Sequence, residues 1–362
     1  MKSNHSNMPA SLVLVGAGLL GKHLGPLLAT VAAVGRARII DRDSYTKEQA
    51  ARPSQAGRPK AVVLAERMRA IRPELEIEPV VGDIENLPLG MFRCQVLLTA
   101  LDSKRARIVA NYAFGKLGIR YWIDSGVSAP SLARVSVFSQ GKHSPCYECG
   151  LDQADYAAEQ SYPCQPASAP PPTNSPEYLG ALAASLQAAE CARLLSGQIG
   201  EAHLNSELVY DTSSRRLFVT RLTRQTTCRS DHGAFVIRHL RQGPRRLTVG
   251  DAFALSAGRS KASVNAALEV PGKLFVRQLA CQCGKTLQVL HLKGRFAAAG
   301  QACPGCGGRM LPLGTGLRNV LAREALSPCE LARPLSTLGL QQADVIAIGK
   351  GSRLHYFELG SD

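Results

Sequence analysis

SLVLVGAGLLG, residues 11–21, has the pattern of a strand, a glycine turn and the start of a helix. Its apolar half has the composition of a strand buried on both faces, and its second half places Gly16, Gly18 and Gly21 in a Gly-x-Gly-x-x-Gly turn that opens a helix. Such a turn aims backbone N–H groups and the positive end of a helix at phosphate. The next apolar run, ARIID, ends on Asp41, where a carboxylate can accept a ribose hydroxyl. Together these features specify a doubly wound α/β fold, and alone they leave a nicotinamide dinucleotide and ATP equally open.

Three further residues favour ATP. A triphosphate carries more charge than a diphosphate and usually travels with Mg²⁺, so it needs fixed cations and a carboxylate for the metal. Arg52 lies eleven positions after Asp41, and Lys60 follows in Gly57-Arg58-Pro59-Lys60. Pro59 suits the first turn of a helix over AVVLAERMRAI, so Lys60 stands where the helix dipole disfavours a structural lysine and an anion-binding one is useful. Asp102 ends the apolar run QVLLTALD at the carboxyl edge of the sheet; it either caps the helix SKRARIVANYAFGKLG or contacts the metal, and the company it keeps favours the metal.

Composition sets bounds. At 362 residues, 45% hydrophobic and 20% charged, the chain suits about two globular domains. No apolar run reaches the length of a membrane helix and no signal peptide is evident, so a cytoplasmic location is expected. The net charge of +15 is dispersed in clusters such as Arg238-His239-Leu240-Arg241 and Arg245-Arg246, and aromatics are only 5%; this fits a basic surface facing an acidic partner better than a nucleic-acid groove. Six of the eleven cysteines fall in three close pairs, which without a secretory signal favours metal over disulfides. Cys281-x-Cys283 and Cys303-x-x-Cys306, each followed by glycine and separated by TLQVLHL and GRFAAAG, have the pattern of a zinc ribbon over about residues 274–312. Cys146 and Cys149 supply half of a second zinc site.

VGAGLLG, IDRD, Arg52, GRPK, ALDSKRARIVAN, IDSGVSAPSLARVSVF and PCYECG occur in an order that resembles the ThiF/MoeB/HesA-type adenylyltransferases, the family that includes ubiquitin-activating enzymes; the resemblance covers about residues 10–232. It implies a Rossmann-like adenylation domain with a mixed sheet, in which Asp41 binds ribose, Asp43 lies with the nucleotide-binding residues, Arg52 and Lys60 hold phosphates, Asp102 holds Mg²⁺ and Arg107 lies near the phosphates. It also implies that the second pair of the first zinc site follows the last strands of that domain, where Cys228 and His232 stand. Gln49 and Pro53 depart from the Asn and Gln usual beside the family's arginine.

Cys164 sits in SYPCQPASAPPPTNSP, a proline-rich loop that cannot be regular structure. Long loops tend to be functional, and many members of the resembled family carry a thioester- or persulfide-forming cysteine in the corresponding loop, ahead of a helix with the signature found here at Leu186-Gln187-Ala188-Ala189-Glu190. Cys164 is thus either the acyl-accepting nucleophile or an incidental thiol, whereas Cys94 and Cys191 are expected in the core. The domains expected are residues 1–235, an adenylation domain with its cysteine loop at 150–177, and 236–362, a C-terminal region containing the ribbon. The expected activity is ATP-dependent activation of the C-terminal glycine of a ubiquitin-like or sulfur-carrier protein by a homodimer, with a conjugating enzyme as a further partner. The C-terminal region also resembles appended regions of activating enzymes from Bil-type, anti-phage ubiquitin-like operons. The alternatives are adenylation of a small acid or peptide without a catalytic cysteine, and a non-catalytic nucleotide-binding zinc adaptor.

Overall fold

The computed structural model describes residues 10–50, 52–128, 130–160, 175–256, 266–295, 302–351 and 353–362. It divides into two compact units, one of Met1–Glu85 with Phe92–Ala234 and one of Asn86–Met91 with Phe235–Asp362. Among the described residues no helix is long and apolar enough to cross a membrane.

The first unit is an eight-stranded mixed sheet. In chain order its elements are β1 (Ala10–Val15), α1 (Gly21–Thr30), β2 (Val34–Asp41), α2 (Lys60–Ile71), β3 (Glu76–Val81), β4 (Val96–Thr99), α3 (Lys104–Lys116), β5 (Tyr121–Ser128), β6 (Leu132–Ser139), α4 (Gln153–Gln160), α5 (Glu177–Leu195), β7 (Ser206–Asp211) and β8 (Arg216–Arg221). The spatial order is β3-β2-β1-β4-β5-β6-β7-β8. The first five strands of that order run parallel, and the last four pair antiparallel. Strands β1 and β4 lie at the centre, where their continuous apolar runs are buried on both faces. The strand order reverses between them, and in open α/β sheets ligands bind in the crevice at that switch point.

A buried polar tie holds the carboxyl edge of this sheet. Gln187 of α5, from the LQAAE stretch, donates to the carbonyls of Thr99 (3.1 Å) and Ile123 (2.8 Å) and accepts from Ser125 Oγ (2.6 Å). Cys191, one turn later on α5, is in the core as expected.

The second unit comprises β9 (Ile237–His239), α6 (Val249–Ala254), β10 (Ala267–Glu269), β11 (Phe275–Ala280), β12 (Thr286–Leu292), β13 (Leu311–Pro312), β14 (Leu317–Arg318), β15 (Val320–Ala322), α7 (Pro328–Leu331), β16 (Val345–Lys350) and β17 (Arg353–Glu358). One sheet has the order β15-β10-β16-β17-β9, and a second centres on β11, which pairs with β12, β13 and β14. Phe253, Phe275, Leu268, Ile346 and Ile348 belong to its core. Arg295 and Asp344 form a buried ion pair, and Arg295 Nε also donates to the Asn86 carbonyl (2.5 Å). Gly90 N–H donates to the Ala343 carbonyl (2.8 Å). The short segment Asn86–Met91 therefore folds with the C-terminal unit, a departure from a single boundary near residue 235.

Replacing Gln187 with leucine leaves two buried carbonyls and the Ser125 hydroxyl without that partner. Urea unfolding of Gln187→Leu is expected to show a loss of about 2–4 kcal/mol, since each orphaned buried polar group costs about 1–3 kcal/mol; a loss below about 0.5 kcal/mol would contradict this role.

Candidate active site and metal centres

The glycine turn leaves the carboxyl end of β1 under tight steric constraint. Gly16 has φ +99°, and a Cβ there would sit 2.4 Å from the Ala100 carbonyl oxygen. A Cβ on Gly21 would lie 1.9 Å from the Gly16 carbonyl oxygen, whereas one on Gly18 would meet nothing within 4 Å. Gly16 and Gly21 therefore serve close packing, and Gly18 faces open space through which a ligand can approach the backbone. Among the described residues no side chain caps the start of α1.

Asp41 closes the turn. One of its oxygens accepts from Ala17 N (2.6 Å) and the other from Asp43 N (2.7 Å). Burial pushes its carboxyl above the usual range, opposed by those two N–H groups. Lys60 begins α2, donates its backbone N–H to the Asp43 carbonyl (2.8 Å) and holds Nζ 3.4 Å from the Asp43 carboxylate. The end of β2 and the start of α2 thus bring Asp41, Asp43 and Lys60 together. The loop between them is closed at its base, where Tyr45 N pairs with Arg58 O and Gly57 N with Tyr45 O. Arg52 lies within that loop, exposed, and among the described residues its guanidinium has no hydrogen-bond or ion-pair partner.

At the β4–α3 junction Ser103 is the cap of α3, its hydroxyl accepting from Ala106 N (3.2 Å). Asp102 is exposed, and among the described residues its carboxylate makes no hydrogen bond or ion pair, although its charge helps raise the Arg42 guanidinium, which is held chiefly by Asp83. Arg107 turns inward: Nε donates to Asp124 (2.8 Å) and Nη2 to the Leu101 carbonyl (2.6 Å). Burial raises the Asp124 carboxyl while the Arg107 charge pulls it down. Arg107 thus braces the β4–α3 loop from within.

The structure brings Cys146, Cys149, Cys228 and His232 into one cluster whose ligand atoms lie within 4.8 Å of one another. Cys146 Sγ is 3.9 Å from Cys149 Sγ, 3.7 Å from Cys228 Sγ and 3.6 Å from His232 Nε2. Tetrahedral zinc with Zn–S near 2.3 Å sets sulfurs about 3.8 Å apart, so the cluster fits such an ion. Asn111 on α3 grips the knuckle, accepting from Tyr147 N (3.1 Å) and donating to Glu148 Oε1 (2.8 Å) and Cys146 Sγ (3.6 Å). The sequence held no sign of this Asn111 contact. Cys281, Cys283, Cys303 and Cys306 form the second cluster, with Sγ separations of 3.4 Å (Cys281–Cys306) and 3.5 Å (Cys283–Cys303). The first pair of this cluster lies in the β11–β12 turn, and N–H groups of Gly305 and Gly308 point at Cys303 and Cys306. Four protein ligands close each site, so either metal would be structural. Most of GRFAAAG and residues 161–174, including Cys164, lie outside the described residues.

The model of the ThiF family matches residues 8–230. The chain belongs to the ThiF family. A sulfur carrier protein adenylyltransferase of Thermus thermophilus is 30% identical over 240 residues, covering 60% of this ThiF-family chain and 82% of the relative. Among solved structures, E. coli MccB with ATP is 19% identical with a TM-score of 0.47, the match covering 61% of this chain and 66% of MccB. PaaA is 14% identical with a TM-score of 0.48, covering 59% of this chain and 73% of PaaA.

Metal analysis of the full chain is expected to find two zinc ions per chain, falling to one in Cys228→Ala and to one in Cys303→Ala. Two ions retained in either variant would remove that cluster as a site.

Proposed function

We propose that this ThiF-family adenylyltransferase uses MgATP to adenylate the C-terminal glycine of a ubiquitin-like or sulfur-carrier protein and then passes the acyl group to Cys164. The observation that carries the reading most is Asp102, a carboxylate at the carboxyl edge of the sheet that does not cap its helix and, among the described residues, joins no ion pair. Such a group suits a divalent cation. Asp41 and Asp43 would address the ribose, and Arg52 and Lys60 the phosphates, beside the open approach at Gly18. The name of the Thermus relative supports a protein carrier as substrate.

In the first step a carboxylate oxygen of the carrier bonds to the α-phosphorus as the bond from that phosphorus to the bridging oxygen breaks, releasing pyrophosphate. The carboxylate is already a nucleophile, so positioning and neutralisation of phosphate charge by Arg52 and Lys60 supply the catalysis. In the second step the Cys164 thiolate bonds to the acyl carbon and AMP leaves. Mg²⁺, held by Asp102, would offset the charge of the phosphates, and zinc at Cys146, Cys149, Cys228 and His232 and at Cys281, Cys283, Cys303 and Cys306 would stabilise the two units. A homodimer and a downstream conjugating enzyme are consistent with this chemistry.

Carrier-dependent exchange of pyrophosphate into ATP is expected for the native chain and is expected to fall on the order of 100-fold or more in Asp102→Ala. Exchange unchanged in that variant would refute the role of Asp102. A thiol-labile carrier adduct is expected to disappear in Cys164→Ala while exchange persists; an adduct that survives would place the nucleophile elsewhere.

A further inference from the structure

The first unit has a concavity at the edge of its sheet away from the glycine turn. Tyr121 opens β5 and pairs with Ser139 at the end of β6; Val137 pairs with Ser206 at the start of β7, and Ser206 with Arg221 at the end of β8. These strand ends mark the amino edge of the parallel strands, whereas Gly16 follows the carboxyl end of β1. The cavity there has a volume of about 650 Å³, with Arg221, Arg224, His143, Thr226, Pro145 and Leu222 among its lining residues. Among the described residues no carboxylate lines it. Among the described residues the Arg221 and His143 side chains have no hydrogen-bond or ion-pair partner, and Arg224 donates from Nη1 to the Lys142 carbonyl, which leaves its other donors available.

We propose that this cavity is a binding site for an acidic peptide segment of a partner protein. Two guanidiniums three residues apart on one exiting chain offer paired recognition of carboxylates. Pro145 and Leu222 add apolar surface for a neighbouring aliphatic side chain. The volume lies within the 300–1,000 Å³ range of organic-ligand sites, far above the need of one inorganic anion. Among the described residues no Phe, Tyr or Trp lines the cavity to offer the stacking platform that single-stranded nucleic acid uses. The surplus positive charge of the chain would steer an acidic partner toward it. The site is separate from the adenylation reading and does not rest on it.

The test uses the full chain and a fluorescein-labelled decapeptide of alternating glutamate and leucine, followed by fluorescence anisotropy. Binding is expected to weaken at least tenfold in Arg221→Glu/Arg224→Glu. It is expected to change less than twofold in Arg215→Glu/Arg216→Glu, which makes the same charge change at the other end of β8. ATP affinity is expected to be unaffected by either pair. Failure of the native chain to bind the peptide would overturn the proposal, as would equal losses in the two double variants, which would make the attraction diffuse. A labelled ten-residue oligothymidylate that binds as well as the peptide and shows the same site-specific loss would also overturn it, in favour of a phosphodiester ligand.

Discussion

The close approach of three backbone segments at Gly16 is the constraint on which the nucleotide edge depends. The end of β1, the start of α1 and the Ala100 carbonyl after β4 converge there with no room for a Cβ at Gly16 or Gly21. That convergence lets Asp41 reach across from β2 and close the turn through Ala17 N. Asp41, Asp43 and Lys60 meet beside that turn, and the backbone at Gly18 has open space next to it, an arrangement suited to phosphate because N–H dipoles, a helix end and a fixed cation act together.

Behind this edge lies a continuous set of buried polar contacts. Trp122 Nε1 donates to Thr99 Oγ1 (2.9 Å), Thr99 bonds Asp124, and Asp124 holds Arg107, which in turn reaches the Leu101 carbonyl one residue before Asp102. Arg107 and Asn111 are four residues apart on α3 and so share a helix face. One braces the loop that carries Asp102 and the other grips the Cys146–Cys149 knuckle. The same helix therefore spans from the candidate Mg²⁺ carboxylate to the first metal cluster. A metal ion there would stiffen a helix whose first turn follows Asp102.

Much of the fold was legible from local pattern. The apolar run before Gly16, the proline before Lys60 and the helical spacing around Cys191 each report a local preference that the tertiary structure keeps. The two cysteine pairs of the ribbon were legible because spacing within a turn sets whether thiolates can meet one ion. Other features had no local signal. Asp and Ser are comparable N-caps, so residue type could not distinguish Asp102 from Ser103; the chain path made Ser103 the cap. Nothing local in the sequence pairs Arg107 with Asp124; the fold does so by placing β5 opposite α3.

Sequence alone suffices for the glycine turn, the helix start at Lys60 and the paired cysteines, because each depends on contacts a few residues apart. Which distant groups meet was set by the packing of the whole fold. It set Cys228 and His232 beside a knuckle some eighty residues earlier, drew Asn86–Met91 into the C-terminal unit, and collected Arg221, Arg224 and His143 at one sheet edge. Those meetings follow from strand pairing and burial, which no short window of sequence contains.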